Sequence, residues 1–149
     1  MSPETLNEKL RSEWRELGFY YESDDQAKEW HLIGSRTGLL HFRDLLLRYV
    51  ADPRNEMKSE HEHYGPYSYL EIMTWPEPGF DGHSIHGSLQ DLRRLASIVE
   101  EKISGAQPGT TIRIADEYAE VSNYALILFV REDTFDPASA DPGLLDING

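Results

Sequence analysis

The sequence predicts an α+β fold: a mostly antiparallel sheet of about five or six strands with helices packed on one face. Three observations carry this expectation. Apolar residues recur at helical spacing in three stretches, the clearest being Leu92, Leu95, Ala96, Val99 and Ile103. Elsewhere they alternate over short runs between turn residues, as strands do. Tyr124 to Arg131 is apolar almost throughout and reads as a central strand covered on both faces.

Taken in order, Ser2-Pro3-Glu4 supplies an N-cap, a first-turn proline and an acid near the positive helix end. Leu6, Leu10, Trp14 and Leu17 then mark a helix that Gly18 closes. Phe19 to Glu22 and Glu29 to Gly34 read as strands around a turn at Ser23-Asp24-Asp25-Gln26. Ser35 or Thr37 caps the next helix, whose apolar face holds Leu39, Phe42, Leu46, Tyr49 and Val50. Asp52-Pro53 stops it, and Arg54 to Ser59 is a polar linker.

Gly65-Pro66 forces a corner, and Tyr67 to Trp75 follows as an alternating strand. On it Leu70 and Ile72 face one way, and Tyr67, Tyr69 and Glu71 the other. His83 to His86 is short and extended. Ser88 with Asp91 is a capping-box variant that opens the third helix. Thr110 to Ala115 is a strand with Ile112 and Ile114 on one face. These elements make residues 1–133 one α+β domain, and 134–149 an irregular, turn-rich tail lying along it. Residues 18–50 and 68–103 share the order strand, turn, strand, Gly-Ser, helix, which suggests a ββα repeat.

With 149 residues the chain is long enough to bury a core. No apolar run reaches membrane length, and the first residues lack the apolar segment of a signal peptide, so a soluble cytoplasmic protein is expected. The absence of cysteine excludes disulfides and thiolate chemistry. Lysine and arginine number 14 against 27 acidic residues, a formal charge of −13. That argues against nucleic acid as partner, since phosphate contacts need basic side chains; it permits a basic protein partner, while the simpler reading of the charge is an acidic surface kept for solubility.

Reactive side chains concentrate in Ser59 to Trp75, SEHEHYGPYSYLEIMTW. His61 and His63 share a face of an extended segment, a common geometry for two metal ligands. His83 and His86 form a second pair, and Glu60, Glu62, Glu71 or Asp81 is available to complete a site. The spacing matches no closed metal motif, and the simpler reading leaves these residues on solvated loops. The corner His63-Tyr64-Gly65-Pro66-Tyr67 offers phenols and imidazoles to a partner or to proton transfer; the competing reading packs the tyrosines over a sheet edge. The candidate binding set is His61, His63, Tyr64, Tyr67, Tyr69, Glu71, His83 and His86. No phosphate-binding loop, dinucleotide fingerprint or nucleophile elbow occurs, and no cofactor is expected.

Ile85-His86-Gly87-Ser88-Leu89-Gln90-Asp91-Leu92-Arg93-Arg94-Leu95-Ala96 resembles the strand-to-helix segment of some small bacterial immunity proteins. Those proteins neutralise polymorphic toxins and are often acidic α+β domains. The corner at His63 to Tyr67 also resembles a little-characterised bacterial family of unknown function. Neither resemblance carries over an active-site residue. The expectation is therefore an acidic binding protein, of the immunity type that inhibits a basic toxin. The rival is a small enzyme or metal-binding protein using the histidine cluster, and a homodimer joined through a sheet edge is a third reading.

Overall fold

The computed structural model describes residues 2–147. Helix α1 (Pro3–Leu17) starts where the Ser2 hydroxyl accepts the Thr5 N–H, and ends at Gly18 in the left-handed conformation, φ 93°. Trp14 and Leu17 bury its inner face, while Leu6 stays 45% exposed. Strands β1 (Phe19–Asp24) and β2 (Glu29–Ser35) form an antiparallel hairpin. Ser35, not Thr37, caps α2 (Arg36–Ala51), its Oγ accepting the Gly38 N–H at 3.1 Å. Gly38 is obligatory there: a Cβ would lie 1.9 Å from the Gly18 carbonyl oxygen, so the two helix ends touch backbone to backbone.

After α2 the chain forms β3 (His61–Tyr64), β4 (Leu70–Thr74), β5 (Gly79–Phe80) and β6 (Ile85–Gly87). Helix α3 (Leu89–Ser104) carries the full capping box of Ser88 and Asp91. Then come β7 (Thr111–Ile114), β8 (Ala125–Arg131) and the short α4 (Pro142–Ile147).

The strands make two four-stranded mixed sheets, β1-β2-β8-β7 and β3-β4-β6-β5, and this corrects the expectation of one mostly antiparallel sheet of five or six strands. The outer pairs of each sheet are antiparallel, but β2 runs parallel to β8 and β4 parallel to β6. Two causes separate expectation from outcome. His61 to Tyr64 has no apolar alternation, because it is a sheet edge whose residues are all at least partly exposed. The parallel pairings join strands that are not consecutive, β2 with β8 and β4 with β6, and no local pattern announces them.

Helices α2 and α3 pack side by side, α2 over β2 and β8 and α3 against β6. The core is continuous: Leu92, Leu95, Val99 and Ile103 are buried with Ile112, Ile114, Leu126, Leu128, Leu70 and Ile72 in one cluster. Strand β8 is central in its sheet and buried on both faces except near its end.

The internal correspondence also shifts by one strand. Strand β4 pairs parallel with β6, so it does not match β1; the counterpart of the β1-β2 hairpin is β5-β6. Each hairpin leads into a serine cap of nearly identical dihedrals and a 16-residue helix. Each second strand then takes a parallel neighbour, β8 or β4, from a hairpin formed elsewhere in the chain.

Three local expectations change. Arg54 to Ser59 contains a 3-10 turn, Pro53–Glu56, with Asn55 buried and donating to the Tyr49 carbonyl at 2.8 Å. The strand expected from Tyr67 begins only at Leu70, because Tyr67 and Ser68 sit at φ 67° and 58°. The tail is not irregular throughout: Pro137–Ala140 is a 3-10 turn and Pro142–Ile147 is helical, both packed against α1. Residues 148 and 149 lie outside the described residues.

Candidate functional site

The site begins with a backbone constraint. Gly65 sits at φ 77°, and a Cβ there would meet the Tyr21 ring at 2.7 Å and Leu17 at 2.9 Å. Pro66, Tyr67 and Ser68 then form a tight 3-10 turn with two consecutive non-glycine residues in the left-handed region. Each such residue costs on the order of 1–3 kcal/mol and persists only where its surroundings hold it. Tyr21 supplies part of that hold, since its hydroxyl donates to the Pro66 carbonyl and accepts the Tyr69 N–H. Asp141 supplies the rest. Its Oδ2 accepts the Tyr67 hydroxyl at 2.7 Å and the Trp14 indole N–H at 2.9 Å. Its Oδ1 accepts the Gly143 N–H.

The turn thereby stands Tyr67 and Tyr69 side by side, ring centroids 5.9 Å apart and nearly parallel. They form one wall of a cleft of about 710 Å³, within the usual range of small-molecule sites. Trp14, Tyr20, Tyr21 and Trp30 contribute further aromatic surface, and Glu22, Glu71 and Asp141 contribute carboxylates. His63 and His83 stand at the same cleft, and among the described residues neither lysine nor arginine lines it. Burial, and then the bond to Asp141, hold the Tyr67 phenol above its ordinary pKa. Burial, with Glu22 nearby, pushes Tyr20 up to about 12. Both phenols are therefore protonated donors at neutral pH and not bases.

Of the residues singled out in the sequence, His63, Tyr67, Tyr69, Glu71 and His83 thus come together at one cleft. Three do not. Tyr64 alternates away from His63 on β3 and donates to Glu62 at 2.8 Å. His86 lies with its ring against Gly79, and its Nδ1 is 3.0 Å from the Ser84 hydroxyl. Burial lowers its pKa although Asp81 and Glu71 oppose this. His61 lines a separate depression with Arg54, Asn55 and Met57.

His61, His63 and Glu71 nonetheless form a cluster. Glu71 on β4 is in register with His63 on β3, and His61 is two residues along the same face. Both Nε2 atoms are 3.8 Å from the same Glu71 Oε1. The imidazole rings are edge to face with centroids 5.2 Å apart. Asp81, read as a further ligand, instead accepts the backbone N–H groups of His83 and Ser84 at 2.8 Å.

Sequence reasoning missed Trp14, Tyr20, Tyr21, Glu22, Trp30 and Asp141. The run Phe19-Tyr20-Tyr21-Glu22 held a signal, because aromatic side chains leave a strand on both faces. Asp141 had none, lying 127 residues from Trp14 in a stretch without periodicity.

Fold and cleft together define an α+β protein with an aromatic, carboxylate-bearing cleft beside a two-histidine, one-glutamate cluster. Compared with protein-family models, curated proteins and solved structures, the chain matches none. Among the described residues no helix is long and apolar enough to cross a membrane.

Proposed function

We propose that this chain is a binding protein whose cleft takes a cationic side chain, arginine or lysine, presented by a basic protein. One observation carries the reading: aromatic rings and the carboxylates of Glu22 and Glu71 converge, above the buried Asp141, on a space that among the described residues is lined by no lysine or arginine. Ring quadrupoles attract guanidinium and ammonium groups, and carboxylates at the same cleft add charge-assisted hydrogen bonds. The formal charge of −13 supports it over a longer range by drawing in basic partners. Inhibition of a basic toxin, the act of an immunity protein, is one role of this kind, and the cytoplasm is the compartment it implies. Nucleic acid is not the partner in this reading.

Titration with an arginine-rich peptide, followed by tryptophan fluorescence, tests it directly. The wild type should bind, an equally long glutamate-rich peptide should not, and Tyr67→Ala or Glu22→Gln should weaken binding roughly tenfold. Equal binding of both peptides, or variants that titrate like the wild type, would refute the reading.

A further inference from the structure

We propose that His61, His63 and Glu71 form a site for a late first-row divalent cation of the zinc class, held on the edge of the β3-β4 hairpin. The first argument is the spacing of the donors. One imidazole nitrogen from each histidine and one carboxylate oxygen of Glu71 all lie within 4.8 Å of one another. Each nitrogen is 3.8 Å from the oxygen, too far for a hydrogen bond. Metal bonds of about 2.0–2.2 Å at a tetrahedral centre would place the donors roughly 3.4 Å apart. The two nitrogen–oxygen distances reach that spacing by closing a few tenths of an ångström, and the nitrogen–nitrogen distance, no more than 4.8 Å, by up to about 1.4 Å, through rotation of the half-exposed imidazoles.

The second argument comes from outside the cluster. His61 Nδ1 lies 3.0 Å from the Ser59 carbonyl oxygen, which can only accept, so Nδ1 carries the proton. In the neutral ring this leaves a lone pair on Nε2, pointing at the Glu71 carboxylate. Nε2 is thus the ring atom left to bind a metal ion on the side of Glu71. A ligating histidine that donates its other N–H to a backbone carbonyl is the usual support of a metal ligand, fixing both tautomer and ring orientation.

The third argument is rigidity and access. All three residues sit on paired strands, in register, so their Cα positions are fixed before any ion arrives. Glu71 has only 16% of its side chain exposed, whereas the histidines are about half exposed, so the donors combine a held carboxylate with open imidazoles. Three protein ligands leave a coordination position free. His63 and Glu71 also stand at the aromatic cleft, so a ligand in the cleft lies beside the bound ion.

Calorimetric titration of chelator-stripped protein with Zn²⁺, with Co²⁺ absorption as a second readout, decides the matter. One equivalent should bind, with the histidine signals of His61 and His63 shifting in NMR spectra. His61→Ala and Glu71→Gln should each weaken binding by roughly tenfold or more. Glu62→Gln, on the opposite face of the same strand, should bind like the wild type. Circular dichroism checks that each variant is folded. Absence of a one-to-one complex, a His61→Ala protein that titrates like the wild type, or an equal loss in Glu62→Gln would each overturn the site. No cationic peptide enters this titration, so its outcome is independent of the binding reading above.

Discussion

At the scale of single residues, buried polar groups tie the cleft together. Asp141 is 5% exposed, yet its carboxylate holds an indole N–H from α1 and a phenol from the strained turn. Without it the Trp14 N–H would be a buried donor with no partner, and nothing would hold Tyr67 in its left-handed conformation from that side. His31, partly buried, is a second titratable group of note, outside the cleft. Its ring lies between Glu29 at 2.9 Å and Glu22 at 3.3 Å. Burial works against its charge, but the hydrogen bonds to Glu29 and Glu22 prevail and raise its pKa above 6.5. A base raised on folding holds its proton more tightly in the native state. The stability it adds is complete below about pH 6.5 and is lost as pH rises through the raised value. The gap in urea stability between wild type and His31→Gln should therefore be widest near about pH 5.5 and narrow toward about pH 8. A gap that stays constant or widens over that range would remove the charged pair from the stability of the fold. His86 has the opposite sign. Burial lowers its pKa, so acidification below about pH 6.5 works against the native state there.

At the scale of elements, α3 shows what the chain states locally. Its apolar stripe, its serine cap and the acid that completes the capping box all lie within 16 consecutive residues and the one before them. Leu95 is fully buried at the centre of that stripe. Leu95→Ala should cost about 2–5 kcal/mol in chemical denaturation, from lost burial and an unfilled cavity. A loss below about 0.5 kcal/mol would mean that the helix does not serve the core. The three long helices, the β1-β2 hairpin and the doubly covered β8 were legible in this way, because each carries its own period. Strand β3 was not, since an edge strand of His-Glu-His-Tyr buries no alternating face. Nor was the turn at Tyr67: Pro66 marks a corner, but left-handed Tyr67 and Ser68 are imposed from outside, by Tyr21 and Asp141. The candidate site divides the same way. His63, Glu71 and the stacked tyrosines were visible as a dense local cluster. The walls from α1, β1 and the tail depend on long-range contacts, Trp14 and Tyr67 to Asp141 and Tyr21 to Pro66, that no short-range pattern encodes.

At the scale of the whole molecule, charge sets how a partner arrives. Much of the positive charge is already engaged within the chain: Arg15 with Asp136, Arg43 with Asp44 and Glu100, Arg54 with Asp52, and Arg113 with Glu29. The excess carboxylates therefore dominate the outer field, and a cationic partner is attracted before it touches the cleft. This separates two contributions that a single affinity would merge. The field governs the rate of encounter and is screened by salt; the aromatic wall governs how long the complex lasts. Stopped-flow mixing with an arginine-rich peptide should show association slowing about tenfold or more between roughly 0.01 M and 0.15 M salt, as the screening length falls from about 30 Å to about 8 Å. Dissociation should change far less over the same range. Tyr67→Ala should reverse the pattern, raising the dissociation rate while keeping the salt dependence of association, because it removes an aromatic face and no charge. Association indifferent to salt would show that the net charge plays no part in recognition. An unchanged dissociation rate in Tyr67→Ala would place the contact outside the cleft.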